Sequence, residues 1–147
     1  DSRTAGVTRG VARLLEDLGC EWLAEFKLAT GRRVDLIGLD RRGAFTIVEV
    51  KTSLADYRGD TKWREYLAWC DRFYFAVPPS FPRGVMPRDQ GLIVGDSFEA
   101  AIVRPAESSA LHANRRKAMV LRFARVAARR LAAGQNDQKE PDPEGPG

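Results

Sequence analysis

The sequence is poor in the residues that build several common kinds of site. It holds one histidine, His112, and two cysteines, Cys20 and Cys70. Two cysteines without metal-ligand spacing exclude a disulfide framework and a zinc pattern, and they suit a reducing, cytoplasmic location. A Ser-His-Asp or Cys-His mechanism would depend on His112, which has no evident nucleophile beside it. The phosphate-binding patterns G-x-x-x-x-G-K-[ST] and G-x-G-x-x-G are also absent.

Long apolar runs are missing as well. No run approaches the roughly 20 residues needed to cross a bilayer, so no membrane partner is expected. The 147 residues are 44% hydrophobic, which argues against global disorder and predicts one domain with a real core. We predict that domain at residues 1–134. Residues 135–147, rich in Pro, Gly, Asp and Glu, are predicted to be a disordered tail.

The formal charge is unevenly distributed along the chain. The predicted tail carries four acidic residues and one lysine, a net charge of −3, so an overall charge of +4 leaves +7 on the body. A basic body with an acidic tail suggests a polyanionic partner, most often nucleic acid. A generic solubilising surface explains the charge equally well.

Periodic apolar residues divide the chain into helices and strands. Helical spacing predicts helices at about residues 5–18, 60–71 and 110–133. Alternating or continuous apolar runs predict strands at about 21–29, 33–40, 44–51, 73–77, 91–96 and 98–104. The order αβββαβββα predicts an α/β domain with helices covering the faces of a sheet.

The second predicted helix combines a cap with an apolar stripe. Asp60 has the side chain of an N-cap residue. The residues at i, i+3, i+4 and i+7 of an α-helix are all apolar or aromatic: Trp63, Tyr66, Leu67 and Cys70. This spacing predicts a helix that packs on the sheet by one side.

The stretch RVDLIGLDRRGAFTIVEVKTS, at residues 33–53, is predicted to be a hairpin with charged residues among its apolar ones. Gly43 stands where a three-residue hairpin loop needs a left-handed residue. The resulting register places Asp35 directly opposite Glu49. Lys51 lies two residues beyond Glu49, so its side chain points to the same face. Three ionisable groups are therefore expected at the open end of the hairpin.

Two opposed carboxylates repel each other unless something holds them. A divalent cation resolves the conflict, because Mg²⁺ takes one or two carboxylates and keeps several waters. Such an ion would hold a scissile phosphate, lower the pKa of a bound water and stabilise the leaving oxygen. Lys51 would steady the attacking hydroxide or the phosphate charge. These groups are sufficient for phosphodiester hydrolysis.

An ordinary structural explanation is equally compatible with the pattern. In it, Lys51 neutralises Asp35 and Glu49 as a salt-bridge cluster at the edge of the sheet. The E-x-K pattern alone is weak, since Glu25 and Lys27 repeat it. That copy has no aspartate on a preceding strand.

The segment VDLIGLDRRGAFTIVEVK resembles the D…E-x-K signature of the PD-(D/E)XK nucleases, with Val34 in place of the usual proline. GRRVDLIGLD, IVEVKTSLADYRGDTKWREYLAWCDRFYFAVP, GLIVGD and the arginine-rich last helix are more closely similar to the MmcB-type DNA repair family of bacteria. The resemblance covers most of residues 5–133. It implies a restriction-endonuclease-like core of αβββαβ order with a mixed sheet. It also implies Asp35, Glu49 and Lys51 as the catalytic set, with Mg²⁺ or Mn²⁺ as cofactor.

The resemblance suggests further site residues. Members of the superfamily often add a glutamate from the first helix or first strand, and Glu25 is preferred slightly over Glu16 as the third metal ligand. Lys62 and Tyr66, at i and i+4, resemble accessory polar positions that some members carry. A solvent-facing lysine and a half-buried tyrosine are the ordinary explanation for that last pair. Many small nucleases of this class are dimers, so a homodimer is one expectation.

The terminal helix is predicted to bind DNA. No acidic residue occurs between Glu107 and Gln135. Four arginines fall close together on a helical wheel, opposite an apolar side: Arg115, Arg122, Arg125 and Arg129. Such a stripe contacts phosphates without reading bases, so binding would have low sequence specificity and strong salt dependence. A solvated charged face is the simpler explanation.

The sequence therefore predicts a DNA repair protein with metal-dependent endonuclease activity. The alternative is a non-catalytic DNA-binding repair module that retains the nuclease fold. An RNA-directed member of the same fold is a third hypothesis.

Overall fold

A computed structural model describes residues 1–138 of the chain, with side chains described as far as residue 135. The chain divides into two compact units, residues 1–112 and a second that begins at Ala113. The sequence had suggested one body ending at residue 134. Most of the predicted disordered tail, residues 139–147, lies outside the described residues.

The first unit is built on a six-stranded sheet whose strands follow the order of the sequence. The parallel strands are β3, β4 and β5, and every other neighbouring pair is antiparallel. The predicted α/β class and the mixed sheet flanked by helices are confirmed. The strands are β1 (Glu21–Lys27), β2 (Arg33–Leu39), β3 (Phe45–Val50), β4 (Arg72–Val77), β5 (Gly91–Gly95) and β6 (Ala100–Arg104).

Helix α1 (Ser2–Asp17) covers one face of this sheet. Its buried residues recur at helical spacing, and the helix approaches the sheet closely at Gly10, where an added Cβ would lie 2.2 Å from the Asp96 carbonyl oxygen. The apolar core on this side combines helix and strand residues, including Val7, Val11, Leu15, Leu36, Val48, Tyr74 and Ile93.

The β2–β3 hairpin has the predicted register. Gly43 adopts φ 83°, in the left-handed region that the turn requires. The ladder pairs Leu39 with Phe45 at the turn and Leu36 with Val48 farther along. The side chains of Asp35 and Glu49 therefore belong to the next opposed position.

The predicted second helix is wrong in type and extent. It is replaced by a short helix α2 (Leu54–Gly59) and a 3₁₀ helix from Trp63 to Trp69. A 3₁₀ helix has three residues per turn, so the inward positions are i, i+3 and i+6. Trp63 and Tyr66 are buried, whereas Leu67 is 36% exposed. Lys62 and Tyr66 do not share a face. Lys62 precedes the 3₁₀ helix and is exposed, whereas Tyr66 is buried.

The second unit contains helix α3 (Ala113–Gln138). It begins three residues later than predicted and continues beyond the predicted end at residue 133. Arg125 and Arg129 are exposed and Arg115 and Arg122 are half-buried. Leu131 lies opposite Arg122 on a helical wheel, on the side predicted to be apolar and to pack, yet it is 64% exposed.

A membrane-crossing segment was not expected from the sequence. Within the described 138 residues, every helix is too short or too polar to span a bilayer.

Candidate active site

The site begins where the β2–β3 ladder ends and two carboxylates replace backbone carbonyls as acceptors. The Asp35 amide donates to Glu49 Oε1 at 3.0 Å. The Val50 amide donates to Asp35 Oδ2 at 2.8 Å. Each acidic side chain therefore reaches across to the opposite strand. The structure brings Asp35 and Glu49 together as the hairpin register predicts.

An aromatic cluster lies beside the acid pair and excludes water from it. Glu49 is opposite Phe75 in the β3–β4 ladder, and its side chain is almost completely buried. The ring centroids of Trp63 and Phe75 are 5.0 Å apart. Tyr57 of α2 packs on Phe75 from another direction, with 5.6 Å between centroids. The acids thus lie in a medium that disfavours their charged forms.

Burial has a strong effect on the protonation of the pair. Burial, followed by the charge of Asp35, raises the pKa of Glu49 to about 9. Burial also raises the pKa of Asp35, although the hydrogen bond from the Val50 amide opposes the change. Around neutral pH the pair therefore retains a proton. Burial and the charge of Glu49 raise the pKa of Tyr66 to about 12, which places this phenol near the acids.

Lys51 is buried at the same strand end, but its ammonium has another partner. Its Nζ donates to Asp60 Oδ2 at 2.7 Å, and the two side chains are only 8% and 15% exposed. Among the described residues this is the one ion pair that Lys51 makes. The salt-bridge cluster in which Lys51 neutralises Asp35 and Glu49 is therefore not found.

Asp60 is the site residue that the sequence analysis missed. Its Oδ1 accepts the amides of Lys62 at 2.8 Å and Trp63 at 3.1 Å, as a capping side chain does, although the N-cap residue of the 3₁₀ helix is Lys62 and not the predicted Asp60. Burial would raise the pKa of Asp60, but the hydrogen bond from Lys51 and the two amides outweigh it and lower the pKa. In the sequence, a capping role was a sufficient explanation for Asp60, and no sequence pattern links it with Lys51.

The two candidate glutamates lie at different places: Glu25 is beside Asp35 in the β1–β2 register, between the Ala24–Leu36 and Phe26–Val34 pairs, and Glu16 is on α1. Glu25 is exposed and has φ 50°, a left-handed conformation that interrupts the alternation of β1. Glu16 accepts the Trp22 indole N–H at 3.0 Å and lies by Asp40, at the turn end of the hairpin. In the described part of the chain, no three His, Cys, Asp or Glu residues are grouped so as to hold a metal ion.

Two basic residues near the site have different positions. Lys62, a predicted accessory residue, has an exposed side chain, and only its backbone joins the Asp60 network. Arg3, which the sequence analysis did not select, donates from Nη2 to the Thr52 carbonyl at 2.8 Å. This bond ties the start of α1 to Thr52, the residue that follows Lys51.

The donor set fits a cation that needs few protein ligands. Asp35 Oδ2 and Glu49 Oε1 accept backbone amides, while Asp35 Oδ1 and Glu49 Oε2 accept no amide within the described residues. Two carboxylates match Mg²⁺, which is usually held by one or two and keeps several waters. A divalent cation would also take the place of the proton that the pair retains.

The chain is similar to a described protein family and to a solved structure. Over residues 1–138 the chain matches the family described as MmcB-like: DNA repair protein MmcB-like. The chain belongs to the MmcB-like family. A solved structure described as the SPO1766 protein of unknown function from Silicibacter pomeroyi is similar to this MmcB-like chain, with 40% identity over 94% of each chain and a TM-score of 0.88. No curated protein matches. The family description supports a role in DNA repair.

Proposed function

We propose that this MmcB-like protein hydrolyses phosphodiester bonds of DNA during repair, with a divalent cation held by Asp35 and Glu49. The observation that carries the proposal is the meeting of these two carboxylates at one strand end, with Lys51 buried next to it. Two adjacent, partly buried carboxylates are costly to a fold when both are charged, and either a proton or a bound cation relieves that cost.

Each residue has a distinct role in this proposal. Asp35 and Glu49 would hold Mg²⁺ or Mn²⁺, and a bound ion would supply a water of lowered pKa and neutralise phosphate charge. Lys51, buried one residue past the end of β3, would place a positive charge against the phosphate. Phe75 and Trp63 exclude bulk water from one side of the carboxylates, which strengthens the electrostatic interactions within the site.

Cleavage of DNA tests the proposal directly. Purified protein is incubated with nicked, flapped and mismatched DNA, and with RNA, in Mg²⁺ or Mn²⁺ and then in EDTA. We expect metal-dependent cleavage of DNA that falls by at least about 100-fold in Glu49→Ala and Lys51→Ala, with DNA binding retained. Lys27→Ala, in the second E-x-K copy, is the matched control and should keep wild-type activity. Cleavage that persists in both site variants contradicts the proposal.

A non-catalytic DNA-binding module is the second hypothesis, and a specific observation favours it. Both acids accept hydrogen bonds from backbone amides, and Lys51 is paired with Asp60. These bonds could serve only to stabilise the fold. DNA binding that is unaffected by metal, with no cleavage of any substrate, supports this hypothesis over the nuclease.

The arginines of α3 are proposed as the backbone-contacting surface. Arg122→Glu with Arg125→Glu should weaken DNA binding by at least about tenfold at low salt, because contacts with phosphates become repulsions. Arg83→Glu with Arg88→Glu makes the same change of charge at exposed positions of the first unit and is the matched control. Equal affinities for the two double variants would contradict a specific role for α3. A homodimer and a cytoplasmic location stay predictions.

A further inference from the structure

Lys51 is buried next to the half-buried Asp35 and the buried Glu49. A lysine two residues after Glu49, just past the end of β3, is the natural neutralising partner for both carboxylates. The ammonium instead donates to Asp60 Oδ2 at 2.7 Å. The charges of Lys51, Asp35 and Glu49 still influence one another.

Asp60 is itself held firmly in place. Its second oxygen, Oδ1, accepts the amides of Lys62 and Trp63, at the start of the 3₁₀ helix. Trp63 is buried, and its ring stacks on Phe73 with 5.7 Å between centroids. The Asp60 carboxylate, which accepts the hydrogen bond from Lys51, is therefore held in place by the start of the 3₁₀ helix, and that start is packed into the aromatic cluster through Trp63.

We propose that Asp60 is a positioning residue that keeps the ammonium of Lys51 off the Asp35–Glu49 pair, so that the pair remains available to a divalent cation. This inference rests on the proposed function and adds a residue to it. Asp60 acts through Lys51 and contacts neither the cation nor the phosphate. Without the Asp60 charge, Lys51 would turn to the nearest remaining acids and compete with the cation for them.

Asp60→Asn isolates the ion pair from the cap. Asparagine retains an oxygen that can accept the amides of Lys62 and Trp63, and it is a good N-cap residue, so the helix start is preserved. Only the negative charge opposite Lys51 is lost. Asp56→Asn is the matched control, because Asp56 is a nearby exposed acid that influences Asp35 without pairing with Lys51.

The test measures Mn²⁺ affinity by titration calorimetry, with thermal unfolding to show that each variant is folded. We expect Asp60→Asn to weaken Mn²⁺ binding by at least about tenfold, and Asp56→Asn by less than about threefold. Adding Lys51→Met to Asp60→Asn should restore the affinity to that of Lys51→Met alone, because the competing ammonium is then absent. DNA cleavage by Asp60→Asn alone should fall at limiting Mn²⁺, with KM for DNA retained, and recover as the Mn²⁺ concentration is raised.

The outcomes separate this inference from the proposed function. A wild-type protein that binds Mn²⁺ and cleaves DNA, beside an unchanged Asp60→Asn variant, overturns the positioning role alone. A loss of Mn²⁺ affinity in Asp60→Asn that Lys51→Met does not reverse also overturns the positioning role, since the effect would not act through Lys51. A wild-type protein that binds no Mn²⁺ overturns both proposals.

Discussion

The β2–β3 hairpin has a buried acid at each end, and the two acids differ in what surrounds them. Asp71 and Glu49 are each 5% exposed, and each accepts a backbone amide from the hairpin. At the turn end, Asp71 also accepts the Leu111 amide at 3.1 Å. At the open end, Glu49 faces a second carboxyl group instead of a second donor. Equal burial therefore stabilises the fold at the turn end, and at the open end it accompanies the proposed cation site.

The largest expected effect is at the turn end. Asp71→Ala would leave the buried amides of Phe45 and Leu111 without their acceptor, and we expect the free energy of unfolding to fall by about 3 kcal/mol. Urea unfolding measures it. Asp40→Ala is the control, because Asp40 also accepts two amides but lies in a partly exposed turn, and it should cost about 1 kcal/mol. Equal costs would remove the contrast between buried and exposed acceptors.

A change of the opposite sign is expected at the open end. The pKa of Glu49 is raised to about 9 in the folded chain from an ordinary value of 4.5. Its protonated form therefore stabilises the fold fully below the unfolded pKa, and that stability is lost as the pH rises toward 9. Glu49→Gln should raise the free energy of unfolding by about 1–3 kcal/mol near pH 8 without metal, and change it little near pH 4. Urea unfolding at both pH values checks this.

A Glu49→Gln variant that is less stable than the wild type near pH 8 would contradict that expectation. It would mean that the glutamate, like Asp71, is a satisfied structural acceptor. The two ends of the hairpin would then be alike.

The smallest expected effect comes from adding Mg²⁺. At several times its Kd the ion should stabilise the wild-type chain by about 1 kcal/mol near pH 8, since it binds only the folded acid pair. The increase should shrink at lower pH, where protons compete for the carboxylates, and disappear in Glu49→Gln. Thermal unfolding with Mg²⁺ and with Ca²⁺ measures it. A similar increase in Glu49→Gln would locate the ion elsewhere.

The parts of this structure that depend on local pattern were predictable. A glycine at the left-handed turn position and alternating apolar residues set the β2–β3 register, and with it the opposition of Asp35 and Glu49. The α/β class followed from the order of helices and strands. Both inferences use short-range geometry that a sequence displays directly.

Other features depend on contacts that the pattern does not display. Over seven residues, periods of 3.0 and 3.6 share the positions i and i+3, so Trp63 and Tyr66 fit either helix type. The left-handed residue Glu25 has no signal in an alternating strand. A capping role uses one oxygen of Asp60. The sequence does not show that the second oxygen accepts the ammonium of Lys51, nine residues earlier.

Strand β3 has an antiparallel neighbour, β2, on one side and a parallel neighbour, β4, on the other. On its parallel side the hydrogen bonds continue past the site, with the Lys51 amide donating to the Ala76 carbonyl at 2.9 Å. On its antiparallel side the ladder stops at Leu36 and Val48, and carboxylates take over. Glu49 is thus held in the sheet by its pairing with Phe75, whereas Asp35 lies beside the left-handed Glu25, where the β1–β2 pairing passes from Ala24–Leu36 to Phe26–Val34. Adjustment to ions of different radius is therefore expected to fall on Asp35, with Glu49 as the stationary reference.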